Sequence, residues 1–252
     1  MDLGLKDRVY VVTGASRGLG RASATALAAD GARLVLCSRD EAALAALAEE
    51  LGGSDRAMAL PGDLSQDDTA NRLVAAGVGR WGRIDGALVS SGGPRPGPSS
   101  AIDDATWRRA FESVFLGATR VARAVVGAAT PEGASIVFVL SSSVKQPVDG
   151  LATSNGIRPG LAMLAKTMAD ELGPQNIRVN GLLPGRLDTD RVRELDQALG
   201  KGSRAGFEAR IPLRRYGTPE EFGRVAAFLL SPASSYVTGA MVPVDGGMIR
   251  GV

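Results

Sequence analysis

The first feature that could do chemistry is a glycine-rich turn near the amino end of the chain. Thr13-Gly14-Ala15-Ser16-Arg17-Gly18-Leu19-Gly20 follows a short apolar run and precedes a segment of helical length. Glycines at this spacing let the backbone approach a ligand closely, and a helix start offers N–H groups to an anion. The pattern predicts a site for the pyrophosphate of a dinucleotide. The residues expected to contact it are Gly14, Ser16, Arg17, Gly18, Leu19 and Gly20.

The residues after the second predicted strand indicate which dinucleotide is bound. A dinucleotide fold usually offers an acidic residue to the ribose hydroxyls at this place. This chain has Ser38-Arg39 there, with Arg17 in the glycine turn. A carboxylate repels a 2′-phosphate, whereas guanidinium groups bind it through paired hydrogen bonds. We therefore expect NADP(H) to be favoured over NAD(H); the alternative for each arginine is a solvated surface charge.

Residue types that are missing exclude several mechanisms. The chain has no histidine and one cysteine, Cys37. Ser-His-Asp and Cys-His catalysis are therefore excluded, and so are an intrachain disulfide and a multi-cysteine zinc site. No metal centre is expected.

The elements that position these residues follow from the hydrophobic pattern. From Val9 onward, short apolar runs alternate with longer segments of helical period, as in an α/β domain whose parallel sheet is covered by helices on both faces. We expect one doubly wound domain over residues 1–252. Strands are expected at 9–13, 33–37, 56–60, 86–89, 135–140, 177–183 and 241–244. Helices are expected at 18–30, 41–51, 67–76, 106–129, 161–172 and 219–230.

Two long irregular segments are predicted to form the walls of the site. Residues 90–100 are rich in Gly, Pro and Ser, and residues 188–212 carry many charges. In an open α/β sheet, the loops that follow the strands surround the ligand crevice. We expect segment 188–212 to be a substrate lid.

These motifs resemble those of the short-chain dehydrogenase/reductase family, particularly its 3-oxoacyl-(acyl carrier protein)-reductase-like members. The glycine turn is similar to the family's T-G-x-x-x-G-x-G, and Val244-Asp245-Gly246-Gly247 is similar to part of its carboxyl-terminal half. The resemblance covers nearly the whole length and implies a single Rossmann-type domain. It also implies further cofactor contacts: Asp63 and Leu64 at the adenine, Ser91 and Gly92 in a rewritten N-N-A-G turn, and Pro184, Gly185 and Thr189 in a P-G-x-x-x-T motif whose threonine holds the nicotinamide carboxamide.

The resemblance also implies a catalytic Asn, Ser, Tyr, Lys tetrad, of which this chain keeps only the serine. Counting back from 166–172 places Ser154 at the tyrosine and Arg158 at the lysine, which also contacts the cofactor. Ser141 stands thirteen residues before Ser154, at the serine, beside Ser142 and Ser143. Counting from Trp107 and Gly117 places Val114 at the asparagine. The three tyrosines, Tyr10, Tyr216 and Tyr236, lie elsewhere.

The substitutions change what the tetrad can do. Hydride transfer to a carbonyl leaves an alkoxide that must be stabilised and protonated. The hydroxyl of Ser154 is less acidic and shorter than a phenol, so it would need a water or another acid to reach the substrate. Arg158 can stabilise an oxyanion, but it stays protonated. Lys145 is a candidate replacement acid if it is partly buried, and otherwise an exposed loop lysine.

Pro159 suggests where the helix at the tetrad begins. Proline has no N–H and fits the first helical turn, so we expect the helix to begin between Asn155 and Arg158. Ser154 would then lie in a capping loop, either near the reacting atoms or as a helix-terminal polar group without a catalytic part.

Three functions remain open from the sequence. The first is an NADP(H)-dependent oxidoreductase acting on a carbonyl or alcohol, with a non-standard proton donor. The second is a cofactor-binding protein of the same fold without dehydrogenase turnover, serving as a regulator or subunit. The third is an enzyme of different chemistry, such as dehydration or isomerisation. The kept glycine turn, Arg17 and Thr189 favour the first, and the changed tetrad favours the second.

Composition and charge limit the partners. The formal net charge is +2, with 29 cations and 27 anions scattered along the chain, which argues against nucleic acid. The amino end shows no secretory signal and no apolar run is long enough for a membrane span, so we expect a cytoplasmic protein. The family resemblance implies a homotetramer or dimer. Its apolar face is predicted to include Val114, Phe115, Val121, Ala122 and Val125.

Overall fold

A parallel seven-stranded sheet forms the centre of the molecule, which is described here as a computed structural model covering residues 2–199 and 204–251. Its strands are β1 (Val9–Thr13), β2 (Arg33–Cys37), β3 (Ala57–Ala59), β4 (Gly86–Val89), β5 (Ala134–Val139), β6 (Ile177–Pro184) and β7 (Met241–Val244). Their order is β3-β2-β1-β4-β5-β6-β7. The order reverses between β1 and β4, and the carboxyl ends of these two strands therefore flank the ligand crevice of this fold. The expected doubly wound sheet is confirmed.

Helices cover both faces of the sheet. In the described part of the chain they are α1 (Gly18–Ala29), α2 (Glu41–Glu50), α3 (Thr69–Trp81), α4 (Asp104–Ala110), α5 (Gly117–Ala128), α6 (Ala152–Leu172), α7 (Asp190–Leu199), α8 (Arg204–Glu208) and α9 (Pro219–Leu230). A π-helical stretch, Phe111–Leu116, connects α4 to α5. The predicted helix at 106–129 is therefore three segments, since one stretch is wound more widely.

Alternation along the strands divides the apolar core between the two faces. Val9 and Val11 of β1 point to a core that includes residues of α3, α5 and α6. Tyr10 and Val12 point to the opposite core, which includes residues of α1, α2 and α9. Successive side chains of a strand face opposite sides, so β1 contributes to both cores.

Helices α1 and α9 are in close contact although they lie far apart in the sequence. Gly223 of α9 approaches α1 so closely that a Cβ there would lie 2.5 Å from the carbonyl oxygen of Ala22. The Tyr10 hydroxyl donates to the carbonyl oxygen of Leu230, 3.1 Å away, at the end of α9. These contacts join the first strand and helix to the carboxyl-terminal part of the domain.

Helix α6 differs from the sequence-based prediction. It begins at Ala152 rather than between Asn155 and Arg158, and Pro159 lies inside it. Contacts with neighbouring loops hold its first turn. The N–H of Ala152 donates to Gly97 O at 3.2 Å, and the Asn155 side chain accepts from the N–H and donates to the carbonyl of Val148. These bonds compensate for the hydrogen bond that proline cannot make.

The predicted oligomer face on the π-helical stretch and α5 is wrong for four of its five residues. Val114, Val121, Ala122 and Val125 are at most 1% exposed and belong to the monomer's own core. Phe115 is partly buried and packs against the same residues. The apolar pattern of this segment therefore describes packing on the sheet and α6.

Candidate active site

The glycine turn has the strand–turn–helix geometry that the sequence predicts. Gly14 and Gly18 adopt positive φ angles of 62° and 57°. A Cβ on Gly20 would lie 2.2 Å from the carbonyl oxygen of Gly14, so no other residue fits there. Arg17 occupies the N-cap position of α1 without a side-chain cap, and the first turn of α1 has no acidic residue. The N–H groups at this helix end are therefore suited to an anionic group.

The ends of β1 and β4 are joined beside this turn. The Thr13 hydroxyl donates to Ser90 O at 3.0 Å and accepts from the Ser90 N–H at 2.8 Å. A Cβ on Gly14 would lie 2.8 Å from the same Ser90 oxygen. The turn and the following Ser91 and Gly92 are thereby held side by side at the crevice.

The two arginines expected at the ribose end are exposed. Arg39 follows β2, next to Ser38, whose hydroxyl donates to Asp40 O at 3.2 Å. Arg17 has a side chain that is 66% exposed and lies 3.6 Å from Glu194 of α7. Both guanidinium groups are open to a ligand on this side of the sheet.

Asp63 and Leu64 follow β3 at the same edge of the sheet. The Asp63 carboxylate accepts from the N–H and the hydroxyl of Ser65, both at 2.9 Å. The Leu64 carbonyl lies so near α5 that a Cβ on Gly117 would be 2.5 Å from it. The loop is therefore fixed by its own hydrogen bonds and by the helix.

Ser154 and Arg158 stand one turn apart on α6, and both are buried. The Arg158 guanidinium donates from Nη1 to Val139 O at 2.7 Å, at the end of β5. It donates from Nη2 to Gly92 O at 2.8 Å, in the loop after β4. Burial, and to a smaller extent the like charge of Arg191, lowers the pKa of Arg158 to about 10. Arg158 thus carries its charge into the floor of the crevice while linking the end of β5 to the loop after β4.

A serine that the sequence analysis did not assign contacts Ser154. The Oγ atoms of Ser143 and Ser154 lie 3.1 Å apart, and both residues are buried. Ser141 instead accepts from the N–H of Ser143 at 3.0 Å and caps a short 3-10 turn. Because Ser141 uses a lone pair in this bond, its own O–H stays available as a donor. The run of three serines was the only sequence signal for Ser143.

The candidate acids lie away from the buried serines. Lys145 is exposed, so the partial burial on which its role as an acid depended is not observed. Tyr10 is buried against α9, Tyr216 donates to Asp196 at 2.7 Å, and Tyr236 is fully exposed. Among the residues that the structure describes, no tyrosine occupies the place beside Arg158.

The segment after β6 carries the predicted Pro184, Gly185 and Thr189. A Cβ on Gly185 would lie 2.6 Å from the Cβ of Asp245, so this turn packs tightly against the loop after β7. Thr189 is 9% exposed, and its hydroxyl accepts from the Val192 N–H at 3.3 Å at the start of α7. Its methyl group lies next to Gly18, and the segment therefore meets the glycine turn.

The expected lid consists largely of α7 and α8, and its residues 200–203 lie outside the described part of the chain. Arg186 forms an ion pair with Asp196 and its guanidinium stacks 3.6 Å from the Phe207 ring centre. Arg204 pairs with Asp188 at 3.0 Å. These contacts connect both helices of the segment to the P-G-x-x-x-T turn.

Comparisons with known proteins match the chain over almost its full length. A sequence profile of the family described as enoyl-(acyl carrier protein) reductase matches residues 14–249. An uncharacterized oxidoreductase of Mycobacterium tuberculosis is 37% identical over 248 residues, which cover 96% of this chain and 92% of the relative. The chain belongs to the short-chain dehydrogenase/reductase family. A second relative, the L-rhamnose 1-dehydrogenase of Azotobacter vinelandii, is 35% identical over 254 residues, which cover 97% of this chain and 97% of the relative.

Solved structures of the short-chain dehydrogenase/reductase family agree with the fold. The family member from Brucella melitensis described as a glucose/ribitol dehydrogenase has a TM-score of 0.93 at 32% identity, with both chains covered completely. The L-sorbose reductase of Gluconobacter frateurii, solved with NADPH and L-sorbose, has a TM-score of 0.91 at 27% identity, again over both full chains. The likeness therefore extends over all the elements around the crevice.

The described residues contain neither a candidate membrane-spanning helix nor a candidate metal-binding cluster. No helix among them combines the length and the apolar character needed to cross a membrane. Within residues 2–199 and 204–251, no group of three or more acidic or cysteine side chains is arranged to hold a metal ion.

Proposed function

We propose that this short-chain dehydrogenase/reductase is an NADP(H)-dependent oxidoreductase that acts on a carbonyl or alcohol group. The observation that carries the proposal is the position of Arg158. Arg158 and Ser154 lie on an uninterrupted α6, at the register of the family's lysine and tyrosine. The Arg158 guanidinium donates to the end of β5 and to the loop after β4. A fixed cation at this place can stabilise negative charge on a substrate oxygen.

The cofactor fits the residues present. The uncapped start of α1 and its close-packed glycines suit a pyrophosphate. The exposed guanidinium groups of Arg17 and Arg39 suit a 2′-phosphate, and Thr189 stands beside Gly18 for the nicotinamide end. Two structural relatives support the choice of NADP(H), because one is described as an NADPH-dependent reductase and the other was solved with NADPH. When bound, NADPH supplies the hydride for carbonyl reduction.

The residues of the chain then have distinct roles. Ser141 is the donor toward the substrate oxygen, since its Oγ accepts the Ser143 N–H through one of its two lone pairs and does not use its O–H in that bond. Arg158 places a positive charge near the substrate oxygen, and it holds the end of β5 and the loop after β4 in position. Ser154 is buried beside Ser143, and its hydroxyl is far less acidic than a phenol, so the proton that completes the alcohol comes from water. Lys145 is too exposed to act within the site.

Substrate, assembly and location follow the same proposal. The matching profile and the relatives include acyl-carrier-protein, cyclohexanol and sugar chemistry, so the shared element is a carbonyl or alcohol carbon. A 3-oxoacyl-(acyl carrier protein)-like substrate is one form of it. We propose a cytoplasmic homotetramer or dimer. The exposed side chains of Phe111 and Met163 on the outer face of the π-helical stretch and α6 are its apolar candidates.

One observation favours a second candidate function. The described tyrosines lie outside the crevice, and Ser154 bonds to a buried serine. A protein with this arrangement can bind NADP(H) without reducing a carbonyl. It would then serve as a regulator or subunit.

Fluorescence titration with NADPH and NADH, followed by a carbonyl and alcohol screen, tests the proposal. We expect tighter binding of NADPH and turnover of at least one substrate. Arg158→Ala is expected to lower kcat/KM by about 10²–10³, because it removes both the fixed charge near the substrate oxygen and the hydrogen bonds to Val139 O and Gly92 O. Arg158→Lys serves as the matched control because it keeps the charge. Binding of NADPH without turnover of any substrate would support the second candidate.

A further inference from the structure

Two guanidinium groups lie along three consecutive residues of the loop after β4. Arg158 donates to Gly92 O at 2.8 Å, and Arg191 of α7 donates to Pro94 O at 2.7 Å. Between them, a Cβ on Gly93 would lie 2.6 Å from Nε of Arg191, so this guanidinium covers Gly93 directly. Arg191 therefore spans the crevice from α7 to the loop that Arg158 anchors.

The charges around these groups are unbalanced. Glu194 is the carboxylate near Arg191, at 4.0 Å, and it is also 3.6 Å from Arg17. Within residues 2–199 and 204–251, Glu194 is thus the carboxylate paired with both Arg17 and Arg191, and the guanidinium of Arg158 donates to two backbone carbonyls instead. Burial is the main cause that lowers the pKa of both Arg158 and Arg191. At Arg158 the like charge of Arg191 adds to it; at Arg191 the attraction of Glu194 opposes it, and the repulsion from Arg17 is the smallest of the three contributions. An anion in the crevice would offset this repulsion.

Arg191 keeps donors for such an anion. A guanidinium has five N–H donors, and the bond to Pro94 uses one of them. The side chain is 34% exposed, so solvent and ligands reach it, whereas Arg158 is 6% exposed and committed to two carbonyls. Arg191 is therefore the group that can bind a ligand directly, and Arg158 adds charge from below.

We infer that Arg191 binds a carboxylate of the substrate, so that the carbonyl or alcohol substrate is an oxo or hydroxy acid. The inference rests on the proposed function. A planar carboxylate matches two parallel N–H groups of a guanidinium. The cofactor's pyrophosphate is a second source of negative charge, but the glycine turn and Arg17 are the groups placed for it. Arg191 instead contacts Gly93 and Pro94 in the loop after β4, next to the Gly92 carbonyl that Arg158 binds.

Matched pairs of acids and esters test this assignment. The probes are pyruvate, acetoacetate and levulinate, each compared with its methyl ester, with NADPH oxidation as the readout. The three acids place the carbonyl at different distances from the carboxylate. We expect at least one acid to have a higher kcat/KM than its ester, mainly through KM. Arg191→Gln is expected to lower this acid-to-ester ratio by about 10–100-fold, the usual effect of losing a charge-assisted hydrogen bond.

The control is the neighbouring exposed arginine of α7. Arg193 pairs with Asp188 and Asp190 and contacts neither the loop after β4 nor Arg158. Arg193→Gln removes the same charge from the same helix and is expected to leave the ratio unchanged. Arg191→Lys keeps the charge without the planar donor pair and is expected to give an intermediate ratio. It also provides a measurable variant if the glutamine variant does not fold.

The outcomes separate this inference from the proposed function. An acid-to-ester ratio that neither Arg191→Gln nor Arg191→Lys changes would overturn the inference. If these variants instead raise the KM for NADPH, Arg191 would be assigned to the cofactor. If no probe is turned over, calorimetry measures binding of the three acids with NADPH present. Acid binding that is lost in Arg191→Gln would support the inference while the proposed function fails. Absence of acid binding to the unmodified protein would overturn it, even if neutral carbonyls are reduced.

Discussion

The hydroxyl oxygens of Ser143 and Ser154 lie 3.1 Å apart in the interior, on two elements that meet behind the crevice. Ser154 occupies the tyrosine register of the family, yet its hydroxyl is paired within the protein. Ser141, two residues before Ser143, accepts the Ser143 N–H through one lone pair of its Oγ and does not use its own O–H in that bond. Of the two serines at tetrad positions, Ser154 is therefore bonded within the protein, and Ser141 is the one assigned to donate to the substrate.

The first prediction compares these serines. Ser141→Ala is expected to lower kcat/KM by about 10²–10³, because it removes the donor to the substrate oxygen. Ser154→Ala is expected to cost less than about tenfold, since its hydroxyl is bonded to Ser143 and has no assigned contact with the substrate. Steady-state kinetics on a substrate from the screen measures both. Equal losses would show that Ser154 takes part in the reaction directly.

The second prediction concerns rebuilding the family's pair. Because α6 begins at Ala152 and continues through Pro159, residues 154 and 158 already have the one-turn spacing of Tyr-x-x-x-Lys. Ser154→Tyr combined with Arg158→Lys is expected to raise kcat by about 10²-fold, the contribution typical of a positioned general acid. Ser154→Phe with Arg158→Lys provides the same bulk without the phenol. An equal rate in both double variants would contradict the prediction.

The third prediction concerns cofactor choice. Arg39→Ala is expected to weaken NADPH binding by about 1–3 kcal/mol through loss of a charge-assisted hydrogen bond, and to leave NADH binding nearly unchanged. Fluorescence titration gives both dissociation constants. The control is Arg56→Ala, because Arg56 is also exposed but lies at the amino end of β3, whereas Arg39 follows the carboxyl end of β2. Equal weakening of both cofactors by Arg39→Ala would contradict the assignment.

The fourth prediction corrects the expectation for α5. Val121 is fully buried in the core of the monomer, so Val121→Asp is expected to lower the free energy of unfolding by about 3–5 kcal/mol. Urea denaturation followed by circular dichroism measures the loss. Arg123→Asp, on the exposed side of the same helix, is the control and should change it little. A stable variant that merely dissociates would restore the earlier interpretation of an interface.

The fifth prediction concerns pH. Burial raises the pKa of the Cys37 thiol from 9.0 to about 11, with its Sγ 3.7 Å from Gly62 O. Because the pKa of the thiol is higher in the folded than in the unfolded state, the contribution of protonated Cys37 to the free energy of unfolding is fully present below pH 9. It is lost as the pH rises through 11. Between pH 9 and pH 11, the free energy of unfolding of the unmodified protein should fall by about 1–3 kcal/mol more than that of Cys37→Ala. Urea unfolding at pH 8, 9, 10 and 11 measures the difference, and a constant difference would contradict it.

Much of the fold could be predicted because it depends on local patterns. The buried strands, the glycine turn and the start of α9 at Thr218, whose side chain accepts from the Glu221 N–H, are written in neighbouring residues. The start of α6 could not be predicted in this way. Its first turn depends on bonds to Gly97 and Val148, which lie in loops, and the proline rule considers only the local backbone.

The candidate site divides along the same line. The family register located Ser154 and Arg158, because spacing along a helix is a local property. It did not reveal that Ser143 contacts Ser154, or that Arg191 covers Gly93, since both contacts join separate elements. The direction in which α5 turns its valines was also not decided by their spacing, because a core face and an interface share one apolar pattern.

The contact between α1 and α9 has a consequence for synthesis of the chain on the ribosome. The apolar face of α1, including Leu27, is covered in part by Phe222 and Ala226, which are translated about two hundred residues later. Until α9 has emerged, the nascent amino-terminal half exposes this face and the hydroxyl of Tyr10 has no Leu230 to bind. Contacts of such long sequence separation form late and slow folding. The nascent chain is therefore exposed to aggregation and to chaperone binding until α9 has left the ribosome.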